Sequence, residues 1–236
     1  MARPDAVHFY HLWLGGEWRR IAEEHFKALR DASFPGQVLL GLVGSPEVRA
    51  AARSWLPYEI AVEADAGFED VTINALRSVI KALSGDTAVL YAHNKGTFHQ
   101  IAENHAWRRA MDDYLTVRWA DRVGELQGHD VAAWHWICPG TLDPFGNPVS
   151  HAHASGNFWW ARADYLKGLP ELSSLTVDTR IEAEWWIGTD EPHVAYAADT
   201  WPRLELARQW PKYVNGMFTG HAYMWLGDDG VWYYRP

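Results

Sequence analysis

A chain of 236 residues has room for one sizeable core or two small ones, and one compact domain is the simplest expectation. With 48% hydrophobic and 22% charged residues the composition is globular, which excludes disorder as the main theme. The 21 basic and 30 acidic side chains leave a net charge of −9, which disfavours duplex nucleic acid as a partner. The single cysteine, Cys138, excludes an internal disulfide framework and suits the reducing cytoplasm. The longest apolar runs, residues 7–14 and 38–43, fall far short of the roughly 20 residues of a membrane span. No basic-then-apolar start marks a signal peptide, so the chain is read as the mature protein.

The first half alternates extended apolar runs with helical patterns, the rhythm of parallel strands joined by crossover helices. A strand over 7–14 ends at Gly15-Gly16, and a helix follows over 17–30 with Ile21, His25, Phe26 and Leu29 on one stripe. A second strand covers 37–43. Gly44-Ser45-Pro46 then opens a short helix to residue 55, and a third strand covers 58–63. Asp70 or Thr72 starts a helix whose stripe is Ile73, Leu76, Val79, Ile80 and Leu83, closed by Gly85. The strand over 87–92 is apolar on both faces, hence central, and empties into His93-Asn94-Lys95-Gly96.

Residues 100–126 read as one long helix with Trp107, Met111, Tyr114, Leu115, Arg118 and Trp119 on a broad face. A strand over 131–137, a Gly/Pro/Asp loop over 139–148, a short aromatic strand over 157–160 and a helix over 162–166 follow. A further helix is expected over 178–187, and residues 222–226 and 231–234 form a terminal aromatic hairpin. The expected fold is therefore α/β, a mostly parallel Rossmann-like central sheet flanked by helices. It is expected to be a single domain over 1–236, with a first half over about 1–127, a second over about 128–200 and an extension over about 201–236.

Three constellations carry chemistry. In open α/β sheets ligands sit beyond the carboxyl ends of the strands, where His93, Asn94, Lys95 and Gly96 lie. A lysine supplies charge there and a glycine lets the backbone approach a phosphate; a solvated turn is the plain alternative. His151 and His153 are two apart and could chelate a metal, but a third ligand is missing from the pattern. His153, Ser155, Gly156 and Asn157 beside Trp159 and Trp160 otherwise make a sugar-recognition surface of directional hydrogen bonds and aromatic planes. On a helix over 178–187, Glu182 shares a face with Trp186, and Glu184 one with Ile181 and Trp185. A carboxylate among tryptophans can act as a general base; pairing with Arg180 or Arg162 is the structural alternative. Glu63 and Asp65 read as a solvated strand-end pair or a metal-nucleotide site, Glu69-Asp70 as a helix cap, and His11 as a nucleotide contact or a packed core ring. The excess of 15 tryptophans, beside 10 tyrosines and 8 phenylalanines, is mostly packing.

The order of Val89 to Gly96, His153-Ala154-Ser155-Gly156-Asn157-Phe158-Trp159-Trp160 and Arg180-Ile181-Glu182-Ala183-Glu184-Trp185-Trp186 resembles a group of small glycosyltransferase-like proteins of bacteria and large viruses. Those carry H-x-K-G, S-G-N-F-W-W and E-x-W motifs in that order, and the resemblance covers residues 7–190. It implies a GT-A-like fold and transfer of a sugar from a nucleotide-diphosphate sugar, a UDP-sugar first among them, to a hydroxyl of a glycan or other acceptor. In GT-A enzymes the central strand ends in Asp-x-Asp, which holds a divalent cation. Here that slot holds His93-Asn94-Lys95, and this departure from the pattern predicts metal-independent transfer, with Glu63 and Asp65 as the alternative site for a metal. Lys95 and His93 would steady the leaving diphosphate, with His11, Asn94, Gly96 and Asp65 lining the donor site. Glu184, or failing that Glu182, would sit near the reacting carbon, to deprotonate the acceptor in an inverting reaction, the preferred one, or to steady positive charge in a retaining one. A non-catalytic carbohydrate-binding module and a His-based metal hydrolase are the alternatives from other classes.

Overall fold

The computed structural model describes residues 5–97, 102–139, 151–196, 223–226 and 232–235. The alternation read from the first half is present: β1 (Ala6–Trp13), α1 (Trp18–Asp31), β2 (Gln37–Val43), α2 (Pro46–Trp55), β3 (Glu59–Ala64), α3 (Asp70–Ile80) and β4 (Ala88–His93). The stripe of α1, Trp18, Ile21, Ala22, His25, Phe26 and Leu29, is buried against the sheet, as 3.6-residue spacing requires. α2 starts at Pro46, whose missing N–H costs nothing in the first turn.

The second half is more broken than its pattern suggests. The long helix divides into α4 (Ala102–Met111), a π-helical stretch Asp112–Val117 and α5 (Trp119–Glu125). The wider turn frees the Leu115 carbonyl, which accepts the indole N–H of Trp160 at 2.7 Å. Residues 131–137 form two strands, β5 (Val131–Ala133) and β6 (Trp136–Ile137), and β6 pairs with β7 (His153–Ala154) in a separate ribbon. β8 (Trp159–Arg162) leads into α6 (Ala163–Gly168). The helix expected over 178–187 shrinks to α7 (Glu182–Trp185) and a 3₁₀ turn at Trp186–Gly188, and β9 (Val194–Tyr196), absent from the sequence reading, follows. The expected C-terminal hairpin pairs β10 (Tyr223–Leu226) with β11 (Trp232–Arg235). The loop read over 139–148 lies, beyond its first residue, outside the described residues.

The central sheet has seven strands in the order β3-β2-β1-β4-β8-β5-β9, parallel except for β8, which runs antiparallel to both neighbours. The protein is thus the expected α/β sheet flanked by helices, and strands from both halves of the chain join one sheet. β4 is its middle strand and is buried from Ala88 to Ala92. One face carries Tyr10, Leu12, Leu90, Ala92 and Trp160 under α1, α4 and the π-helical stretch. The other carries Val7, Phe9, Val89, Tyr91 and Trp159 under α3, α6 and the α7 turn. A polar chain crosses the first layer: His8 Nε2 meets His25 Nε2 at 2.8 Å, and His25 Nδ1 meets Asp112 Oδ1 at 2.6 Å. Because β8 runs backwards, with Trp159 opposite Tyr91, the turn before it emerges beside the carboxyl end of β4. Among the described residues no helix is long and apolar enough to cross a membrane.

Candidate functional site

The carboxyl end of β4 is clamped to that of β1. The Trp13 N–H donates to Asn94 Oδ1 (3.1 Å) and the Asn94 amide donates back to the Trp13 carbonyl (2.7 Å). Asn94 is buried by this role, so its side chain is spent on backbone rather than offered to a ligand. Gly96 follows at φ +90, a conformation that favours glycine, and a Cβ there would lie 3.2 Å from His105 Nδ1. Between them Lys95 is half-buried, its ammonium 4.0 Å from the ring centre of Trp107 on α4.

The turn before β8 joins this group. The Asn157 N–H closes it onto the Ala154 carbonyl at 2.9 Å, and Gly156 takes φ +82 within it. A Cβ at Gly156 would sit 2.8 Å from Met111 Sδ and 3.1 Å from Trp107 Cζ2. The glycine is therefore what lets this turn close on Trp107. At the other end of the same segment, His151 stacks on Trp185 with ring centres 4.6 Å apart, and the Ala152 carbonyl abuts Gly188. Residues 151–158 thus run from the α7 turn to the Lys95–Trp107 pair, linking all three sequence constellations.

On the α3 face, a row of paired positions Gly41, His11 and His93 crosses β2, β1 and β4. His11 Nδ1 hydrogen-bonds Thr72 Oγ1 at 2.8 Å, and Gly41 makes room, since a Cβ there would meet that hydroxyl at 1.9 Å. His93 Nδ1 donates to Glu69 Oε1, and its ring meets Phe158 edge-on at 5.2 Å. Burial alone would raise the Glu69 carboxyl, but the charge and hydrogen bond of His93, then His11 and Lys95, hold it down at about 2. Burial lowers His11 to about 4, with Glu69 opposing and His93 adding to the shift. His93 Nε2 and the Tyr91 hydroxyl are buried without a hydrogen-bond partner.

Several expectations need correction. Trp159 and Trp160 are both 0% exposed, with indole N–H groups donated to Asn157 Oδ1 (3.0 Å) and the Leu115 carbonyl, so they are core and not a sugar-facing surface. Asn157 is equally buried, and His153 is buried with Nδ1 on the His151 carbonyl at 3.0 Å. Ser155 is half-buried and its N–H donates to the His135 carbonyl at 2.9 Å. Asp65 is exposed and pairs with Arg49 at 2.5 Å, while Glu63 pairs with Arg49 and Arg53, away from the central strands. Glu69 occupies the cap position of α3 without capping it, and Asp70 accepts the N–H groups of Phe68 and Leu175 instead. Glu182 and Glu184 are half-buried on the α7 turn.

The carboxyl end of β4 carries no carboxylate pair, since residues 93–95 are His, Asn and Lys. Lys95 is cationic, Asn94 is committed to Trp13, and no group of three or more His, Cys, Asp or Glu side chains among the described residues is arranged to hold a metal. His151 and His153 likewise gain no third ligand among the described residues.

Glu69 was read as part of a helix cap and Trp107 as a packing residue, and Arg108 is the residue of this cluster that the sequence reading did not single out. Arg108 had a legible signal, an arginine placed one turn from Met111 and two from Leu115 on the buried stripe of the helix.

The fold and site together define an α/β protein with a mostly parallel sheet and a polar, partly cationic cluster at the carboxyl edge of its middle strands. The chain belongs to the family described as a domain of unknown function (DUF8361), whose profile matches residues 9–189, from β1 to just past the α7 turn. No curated protein matches it. Among solved structures it is similar to 4-diphosphocytidyl-2C-methyl-D-erythritol synthase from Anaerococcus prevotii, at 8% identity and TM-score 0.43 over 82% of this chain and 89% of that one. It is also similar to S. aureus TarS 1-349 in complex with UDP-GlcNAc, at 12% identity and TM-score 0.40 over 83% and 56%. A third is glucosyl-3-phosphoglycerate synthase from Mycobacterium tuberculosis in complex with Mn2+, UDP and phosphoglyceric acid, at 15% identity and TM-score 0.39 over 100% and 87%. At TM-scores below 0.5 these similarities assign no activity to this chain.

Proposed function

We propose that this protein is a cytosolic glycosyltransferase that moves a sugar from a nucleotide-diphosphate sugar, a UDP-sugar first among them, to an acceptor hydroxyl without a divalent metal. The observation that carries the reading is Lys95, a lysine fixed at the carboxyl end of the middle strand where the turn before β8 and α4 converge. A rigidly held ammonium at that place can neutralise a departing diphosphate as a bound cation would. His93, two residues earlier, supplies an imidazole on the same edge of the sheet. The exposed, unbridged Cys138 suits a reducing compartment.

In the reaction the acceptor oxygen attacks the anomeric carbon, the bond from that carbon to the diphosphate oxygen breaks with its electron pair, and the acceptor proton passes to Glu184 or Glu182. Lys95 meets the charge that develops on the leaving group. The carbohydrate-binding alternative loses its main support, because the paired indoles it required are enclosed in the core.

Titration calorimetry with UDP, other nucleoside diphosphates and a panel of nucleotide sugars tests the reading. The expected result is saturable binding that Lys95→Met weakens about tenfold or more, in line with loss of a charge-assisted contact. Absence of binding by every nucleotide in the panel would refute it.

A further inference from the structure

Lysine is a long, flexible point charge, and an unrestrained one loses rotamer freedom whenever it grips a ligand. Lys95 is restrained from two sides by neighbouring residues of α4. The Trp107 indole lies under its ammonium at 4.0 Å, and the Arg108 guanidinium donates Nη1 to its backbone carbonyl at 3.2 Å. Arg108 is 0% exposed. Nη2 donates to Glu24, Nη1 also meets His105 Nδ1 at 3.1 Å, and Nε is buried without a hydrogen-bond partner, Asp112 Oδ2 lying 4.0 Å away. A fully buried guanidinium is costly and contributes little net stability, so one spent partly on a loop carbonyl is better explained by what it holds still. Only the planar fork of arginine reaches all these acceptors at once.

The same helix is seated against the loop at the next residue, where a Cβ on Gly96 would press on His105 Nδ1 at 3.2 Å and on Asn104 Cβ at 3.4 Å. On the far side, Gly156 brings the turn before β8 onto Trp107. The ammonium is thus held in a fixed place while the backbone on either side of it is tied to β1 by Asn94 and to α4 by Arg108.

We propose that Trp107 and Arg108 are positioning residues for Lys95, the indole fixing its ammonium and the guanidinium its carbonyl, so that the affinity for a nucleoside diphosphate is set by α4 without α4 touching the diphosphate. The inference rests on the reading of Lys95 as the diphosphate-binding cation, and its test separates the two. The first readout is the rate at which an amine-acylating reagent modifies Lys95 in the folded protein, followed by peptide mass spectrometry. An indole face in contact with the amine shields one side of it, so Trp107→Leu accelerates acylation of Lys95 by about three- to thirtyfold, and Trp107→Phe, which restores a smaller ring face, by less. The second readout is UDP affinity, which falls in the same order in these variants and about tenfold in Arg108→Lys, where the charge remains and the fork is lost.

Acylation of Lys95 at the wild-type rate in Trp107→Phe, which keeps most of the volume and so the fold, overturns the proposal even if Trp107→Leu does not fold. A graded acylation response in a wild-type background that binds no nucleoside diphosphate supports the positioning and refutes the donor assignment alone.

Discussion

Acidification should dismantle the Gly41–His11–His93 row before most of the molecule, and His11 gives the sharpest test. The residue is 5% exposed, and burial lowers its imidazole from 6.5 to about 4. Between those values the unfolded chain binds a proton that the folded one refuses, so stability is full above pH 6.5 and declines as the pH falls toward 4. The limb attributable to His11 has a slope of about 1.4 kcal/mol per pH unit and a total on the order of 3 kcal/mol. Glu69 adds a second limb of the same sign, since its carboxyl is held at about 2 rather than 4.5 and the advantage is lost below pH 4.5. His8, lowered well below 6.5 by burial and then by His25, steepens the slope further, so the diagnostic quantity is a difference between proteins. Urea unfolding at half-unit steps from pH 7 to 4, on the wild type and on His11→Asn, which can keep a hydrogen bond to Thr72 but cannot titrate, measures it. The variant should lose about 1.4 kcal/mol per pH unit of slope over that window. An unchanged slope would refute the assignment of a buried neutral His11.

Gly41→Ala places a methyl group 1.9 Å from Thr72 Oγ1 and 2.8 Å from its Cβ, and is expected to cost about 1–3 kcal/mol in denaturant unfolding. Combining it with Thr72→Ala should recover part of that loss, a coupling that a double-mutant cycle reads directly. Gly156→Ala must accept both φ +82 and a sulfur at 2.8 Å, so a fall in thermal stability of about 1–3 kcal/mol should accompany weaker UDP binding. Asn94→Ala removes both hydrogen bonds to Trp13 and should destabilise by about 1–3 kcal/mol, with faster amide exchange at Trp13 as its local signature. Retained protection at that amide would show that the clamp is dispensable.

The strand-and-helix alternation of the first half was legible because each element there carries its own period. The α1 stripe, Pro46 at the start of α2 and the doubly apolar β4 are local signals, and the elements match them. The second half was harder because its elements are too short to show a period. β5, β6 and β7 have two or three residues each, and the α7 turn has four. Trp159 and Trp160 were read as a surface because residue type does not report depth. Only their place in β8, between β4 and β5 with helices over both faces, buries them.

The amino-acid order by itself determined the α/β class, the central position of β4 and the delivery of His93, Asn94, Lys95 and Gly96 to one edge of the sheet, because hydrophobic periodicity and glycine and proline punctuation act within a few residues. Which of those side chains remain available was decided only by contacts between segments distant in the chain. Asn94 is taken by Trp13, 81 residues away, Arg108 reaches back to Glu24, 84 residues away, and the reversal of β8 sets Gly156 against Trp107. Such pairings depend on how packed layers meet, and no local pattern encodes that geometry.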